Sequence, residues 1–237
     1  MMNKGIKHIS IIARIYIVVD RRKWEEIQKL QKGTHIMSLI HKPLEDIIVY
    51  LLYDMEFIGA DHVSLVTYIL AALTAYLFLA GEIGKAIVMA ILVGILDGVD
   101  GKIARLRKRK TYIGKLEHSI DMLYEQAWYA AFIWASWSLT GSIPYLVAGI
   151  IWLILDSFVR HVYHVVWIAT GKSLKYHGGV ARYVTFIDGR RSMYVLHMLI
   201  WYLVGMPFFA IYTILGHCAL TALSYTVLAF KIMLSHE

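Results

Sequence analysis

Apolar runs of about twenty residues recur along this chain, and few folds can accommodate them. "HVSLVTYILAALTAYLFLA" opens at His62, "GKAIVMAILVGIL" at Gly84 and "IPYLVAGIIWLILDSFVRHVYHVVWIA" at Ile143. A helix of roughly twenty residues crosses a hydrocarbon core of about 30 Å. Inside that core only helices and closed barrels satisfy their own backbone. The short alternating segments of a membrane barrel do not occur here. The pattern predicts an all-α polytopic membrane protein with six spans, near 62–80, 84–104, 113–139, 143–169, 192–212 and 214–234. Composition agrees: 59% of the residues are hydrophobic and 17% charged, against roughly 25% charged in a soluble domain. The lone Cys218 excludes an internal disulfide framework and a cysteine metal cluster.

The basic residues orient the spans. Nine of the 24 Lys and Arg precede residue 43, six lie in Arg105–Lys115 and five in Lys172–Arg191. The turns on the other side hold only Lys85. Positive loops stay cytoplasmic, so both termini and the second and fourth loops are expected there. The net charge of +7 is mostly this signal, and it suits anionic membrane lipids. Basic residues that hug span ends argue against nucleic acid as the partner.

Before the spans, residues 43–57, "PLEDIIVYLLYDMEF", read as an interfacial amphipathic helix. Pro43 suits a first helical turn, and Glu45 and Asp46 suit the positive end of the helix. Leu44, Ile47, Ile48, Leu51 and Leu52 recur at three and four, while the acids form a polar side. Residues 1–40 read as a separate cytoplasmic segment ahead of a membrane domain over 41–237. In that segment "RRKWEEIQKLQKG" has helical spacing, and "HISIIARIYIVV" suits a strand or a buried helix. The opening does not resemble a cleaved signal, because Arg14 interrupts its apolar stretch.

The second span ends in "DGVDGKIAR". Asp97 and Asp100 are three apart and share a helix face. The third span opens "GKLEHSIDMLYE", where Glu117, Asp121 and Glu125 recur at four. A short loop makes these spans antiparallel neighbours, so four or five carboxylates converge. Unpaired, they would repel one another and pay to leave water. A divalent cation answers both costs, and all-oxygen ligation favours Mg²⁺, Mn²⁺ or Ca²⁺. The bland alternative is a solvated helix end neutralised by Lys102 and Arg105. Gly98, Gly101 and Ala104 leave one helix surface bare, either for close helix packing or for a flat ligand such as a nucleotide diphosphate.

These residues resemble the signature of the CDP-alcohol phosphotransferase (CDP-alcohol phosphatidyltransferase) family, D-x2-D-G-x2-A-R-x8-G-x3-D-x3-D. Asp97, Asp100, Gly101, Ala104, Arg105 and Gly114 match it residue for residue. Its last two aspartates fall on His118 and Met122; Glu117 and Asp121 stand one place earlier and keep the four-residue interval. The entry to the first span also departs: Ala60-Asp61-His62-Val63-Ser64 stands where the family often has Pro-Asn-x-Val-Thr. Asp61 there would serve as an N-cap.

The resemblance implies an integral membrane transferase of phospholipid biosynthesis. An acceptor hydroxyl attacks the β-phosphorus of a CDP-linked lipid and CMP leaves, with two Mg²⁺ or Mn²⁺ ions in attendance. Asp97, Asp100, Glu117 and Asp121 would hold metal, and Asp121 would also take the proton. Gly101, Ala104, Arg105 and Gly114 would meet the nucleotide. His118 and Glu125 stay open as alternative acids or ligands, and pairing Asp121 with Glu125 instead would make Glu125 the base. Asp156 and Arg160 are spaced to pair on one helix face, yet Arg160, Arg190 and Arg191 would lie beside a cytoplasmic site. Arginines suit a phosphate, which leans the small acceptor toward a phosphorylated polyol such as inositol phosphate or glycerol phosphate. A homodimer is carried as one expected assembly. Two other functions stay open: a catalytically inactive family member that acts in binding, and a divalent-cation transporter.

Overall fold

The computed structural model describes residues 20–109 and 113–234. "HISIIARIYIVV" lies outside the described residues. Among those described the architecture is all-helical, with no strand. Among the described residues three segments are long and apolar enough to cross a membrane: Ala60–Leu79, Ile143–Thr170 and Pro207–Leu234.

In chain order the helices are α1 (Arg21–Gln28), α2 (Ile36–Leu52), α3 (Ala60–Leu79), α4 (Ile83–Arg107), α5 (Glu117–Thr140), α6 (Ile143–Thr170), α7 (Gly179–Ile187), α8 (Arg191–Leu203) and α9 (Ala210–Leu234). α3 packs on α4 and α5, α5 on α6, α6 on α9, and α8 on α4 and α9. An aromatic core joins them. Tyr129, Trp152 and Tyr194, from α5, α6 and α8, meet with ring centroids 4.6 to 5.5 Å apart. The indole of Trp128 donates to the Ala71 carbonyl at 2.7 Å and ties α5 to α3. Ile69, Tyr76, Ile154 and Leu223 face outward; a bilayer is the solvent that tolerates such a surface.

Two boundaries differ from the periodicity. The break expected between 212 and 214 lies instead at residues 204–206. Gly205 takes φ +83° there, and Pro207 then opens a short 3-10 turn, Pro207–Phe209. Left-handed glycine and proline are chain terminators that an apolar count does not register. α8 therefore has 13 residues, about 20 Å at 1.5 Å per residue, while α9 runs 25 residues unbroken. The third predicted span begins its α-helix at Glu117, after a 3-10 turn over Ile113–Lys115.

The expected helix over 43–57 is shifted, and two of its acids are buried. α2 starts at Ile36, capped by His35, and Pro43 stands inside it. Residues 53–58 form turns instead. Glu45 and Asp46, expected on the solvent side, are buried, while Ile40, Leu44, Ile47 and Leu51 are exposed. α2 also runs straight through residue 40. Ahead of it α1, capped by the Asp20 carboxylate, packs on α2, and Ile27 is buried in one cluster with Val49, Val63, Ile95 and Val99.

Candidate active site

α4 and α5 bring their acidic ends together. One carboxylate oxygen from each of Asp97, Glu117 and Asp121 lies within 4.8 Å of the others. Asp100 sits one turn along α4, 4% exposed. Its Oδ2 accepts from the Ser64 hydroxyl of α3 at 2.7 Å. Among the described residues, Oδ1 of Asp100 and Oδ1 of Asp121 are buried and have no hydrogen-bond partner. Buried carboxylate oxygens without partners are costly. A hard cation satisfies lone pairs of this kind, so the donor set fits Mg²⁺ or Mn²⁺.

The basic residues around this cluster are committed unevenly. Arg191, the first residue of α8, reaches into it. Its Nη2 lies 2.6 Å from Asp97 Oδ2 and its Nη1 lies 3.2 Å from Glu125 Oε1, with Tyr124 Oη beside it. Arg160 is held between Glu125 and Asp156, the latter at 2.7 Å. Gln126 donates to the same Asp156 carboxylate at 2.6 Å. Arg190 is turned away onto Asp188, at 2.5 and 2.7 Å. Of the three arginines expected beside an acceptor, only Arg191 touches the acid cluster; the i,i+4 pairing of Arg160 with Asp156 is present.

Asp188 is a second junction. Its carboxylate also receives Tyr225 of α9, and it lies 3.3 Å from His35, the cap of α2. Burial pushes this carboxyl up, but Arg190, His35 and Tyr225 outweigh it and hold it below the ordinary carboxylate range.

The surface expected to be bare is largely occupied. A Cβ at Gly98 would fall on the carboxyl group of Glu45, and one at Gly94 would lie 3.2 Å from the His41 ring. Both neighbours come from α2. At Gly101 a Cβ would lie 3.2 Å from the Arg105 guanidinium, which folds back along its own helix. Arg105 also donates Nε to the Leu30 carbonyl at 2.8 Å. Ala104 is half-buried beside the cluster around Ile103 and Val99. Gly114 lies in the 3-10 turn, and His118 is exposed on the first turn of α5. Asp61 is not the cap of α3. Gly59 caps it, and Asp61 accepts from the Ile113 amide at 3.3 Å.

Lys102, expected beside Arg105 at a solvated helix end, is buried instead. It does not neutralise the site acids but is 1% exposed on another side of α4, against Glu45 at 2.8 Å and Asp46 at 2.6 Å. The available signal was a lone lysine inside an apolar span, with two acids in an otherwise apolar helix upstream.

No curated protein sequence matches the chain. Residues 57–234 match the family CDP-alcohol phosphatidyltransferase, a segment that takes in α3 to α9 and every acid of the cluster. With three quarters of its length matched and the signature residues gathered at one helix junction, the chain belongs to the CDP-alcohol phosphatidyltransferase family.

Proposed function

We propose that this protein transfers a phosphatidyl-type group from a CDP-linked lipid to a hydroxyl acceptor, releasing CMP. The observation that carries the reading is the meeting of Asp97, Glu117 and Asp121 within 4.8 Å, beside Asp100, in a chain of this family. The new bond joins the acceptor oxygen to the β-phosphorus of the donor. The bond from that phosphorus to the oxygen of CMP breaks, and the acceptor proton leaves.

Asp97, Asp100, Glu117 and Asp121 would hold two Mg²⁺ or Mn²⁺ ions, which when bound supply charge neutralisation to the diphosphate and polarise the reacting oxygens. Asp121 takes the acceptor proton, as the last acid of the family's signature does, and its Oδ1 has no hydrogen-bond partner among the described residues. Glu125 is held by two arginines and acts as their anchor. Gly101, Ala104, Arg105 and Gly114 form the nucleotide side. Arg191, whose Nε is buried without a partner, is the cation left to meet a phosphorylated polyol such as inositol phosphate or glycerol phosphate.

We place the site at the cytoplasmic face of a six-span protein with both termini on that side. The charge distribution supports this, since the acidic junction adjoins the Arg105–Lys115 cluster. A lipid donor can then keep its tails in the bilayer while its headgroup reaches the acids.

The test is CMP release by purified protein from CDP-diacylglycerol, with glycerol phosphate, inositol phosphate, serine or inositol as acceptor. Release with a phosphorylated polyol in Mg²⁺, abolished by EDTA and by Asp100→Asn, is expected. Absence of CMP with every acceptor would leave a binding protein or an ion transporter as the better reading.

A further inference from the structure

Asp97 and Asp100 project from α4, so the rotation of α4 about its own axis decides whether they meet the acids of α5. Two contacts fix that rotation from different sides. On one side Asp100 accepts from Ser64 of α3 at 2.7 Å. Lys102 is two residues on, about 200° around the helix, and faces α2. There its ammonium lies between Glu45 at 2.8 Å and Asp46 at 2.6 Å.

This second contact is built rather than incidental. Lys102, Glu45 and Asp46 are 1%, 4% and 1% exposed. Asp46 further accepts from Lys42 at 2.5 Å and Gln28 at 2.6 Å, so two acids meet two lysines. Gly98, one turn before Lys102, leaves the volume that the Glu45 carboxyl fills. Gly94, a turn earlier, does the same for His41. α2 therefore lies along α4 in parallel, with His41 at Gly94 and Glu45 at Gly98. Glu45 and Asp46 precede residue 57 and fall outside the segment that matches the family.

A buried ion pair is a weak source of stability, which leaves geometry as its use. Side-chain tips on a helix ride about 5–6 Å from its axis, so a 20° rotation moves a carboxylate by about 2 Å. Misplacement of 1 Å can cost about 10²-fold in rate.

We infer that Lys102 is a positioning residue: with Glu45 and Asp46 it locks α2 onto the back of α4 and holds Asp97 and Asp100 in register with Glu117 and Asp121. The inference rests on the transfer reading for its effect on rate, but its effect on metal binding can be read without turnover.

The test compares wild type, Lys102→Met and the triple variant Glu45→Gln/Asp46→Asn/Lys102→Met, in which Lys42 keeps Gln28 and its partial exposure to water. The triple variant leaves no carboxylate unpaired and keeps the comparison usable if Lys102→Met does not fold. Thermal unfolding in EDTA and across a Mg²⁺ titration gives the Mg²⁺ midpoint, and CMP release gives kcat and donor KM. The lock predicts a triple variant with near-wild-type Tm in EDTA, a Mg²⁺ midpoint raised about tenfold, kcat lowered about 10²-fold and donor KM within about twofold. A folded triple variant with wild-type midpoint and kcat overturns it, as does wild type that Mg²⁺ does not stabilise. Wild type that Mg²⁺ stabilises but that releases no CMP, with the midpoint still shifted in the variant, supports the lock and sinks the transfer reading.

Discussion

Arg191 and Asp97 are separated by 94 positions in the chain and by 2.6 Å in space, guanidinium Nη2 on carboxylate Oδ2. One arginine at the start of α8 thus adds positive charge, beside that of Arg105, to a junction of acids from α4 and α5. It offsets part of the repulsion that those acids exert on one another.

Arg191→Gln should therefore expose that repulsion. Metal-free stability should fall by about 2 kcal/mol, between the costs of breaking an exposed and a fully buried pair, because Asp97 is part-exposed and Glu125 keeps Arg160. The stabilisation gained on adding Mg²⁺ should grow, because the cation then does more of the neutralising. Differential scanning fluorimetry with and without Mg²⁺ measures both. An unchanged Mg²⁺-induced rise in Tm would mean that Arg191 and the metal do not share a site.

Asp121 and Glu125 should part company on mutation. Asp121 Oδ1 has no partner among the described residues, whereas Glu125 is engaged by Arg160 and Arg191. Asp121→Asn should lower kcat by about 10³-fold, the scale of a lost general base, with little change in Tm. Glu125→Gln should mainly lower Tm. Steady-state kinetics at saturating Mg²⁺ and donor, beside melting curves, decide it. The reverse order would make Glu125 the base.

Acid stability should carry the signature of Asp188. Its carboxyl titrates below the ordinary 3.8 in the folded protein, so its ionised form is favoured by folding. The stability it contributes is present above that ordinary value and is lost as pH falls through the lower folded one. Asp188→Asn should melt earlier at pH 7, by about 2 kcal/mol for the lost charged hydrogen bonds. Wild type and variant should converge as pH drops below about 4. Parallel curves down to pH 3 would show that Asp188 is not held ionised by Arg190, His35 and Tyr225.

Orientation can be read from two single cysteines. Lys108 ends α4 exposed, and Ser142 precedes α6. A cysteine at Lys108 should react with a membrane-impermeant maleimide only from the cytoplasmic side, and one at Ser142 only from the opposite side. The native Cys218 is buried and should stay silent. Labelling of both from one side would overturn the six-span arrangement.

Much of this site could be read in sequence because its logic is local. Asp97 and Asp100 share a helix, Glu117 and Asp121 share the next, and the acidic ends of the two meet although each helix packs chiefly on α3. Helical spacing alone nominates those residues. Arg191, Lys102 and Glu45 were not placed so directly, because their partners lie tens of residues away and no local period links them. The turn at Gly205 was missed for another reason: an apolar count treats residues 192–212 as continuous, while one backbone torsion divides them. Glu45 and Asp46 depart from the expected polar side because acids on an amphipathic helix suggest water, and here they meet a buried lysine.

The volume at Gly98 has one further consequence, for how such chains can change. The signature leaves positions 98 and 102 free, yet here a side chain at 98 and a carboxyl group at 45 would compete for the same space. A side chain gained at 98 therefore cannot leave that carboxyl group where it is. A lineage that gains a side chain at 98 has to displace the carboxyl group of Glu45, and the lysine at 102 then loses one of its two acidic partners. Drift at these three positions should be epistatic, so that viable substitutions arrive in sets, and a variant scored as harmless in one relative could be disabling in another.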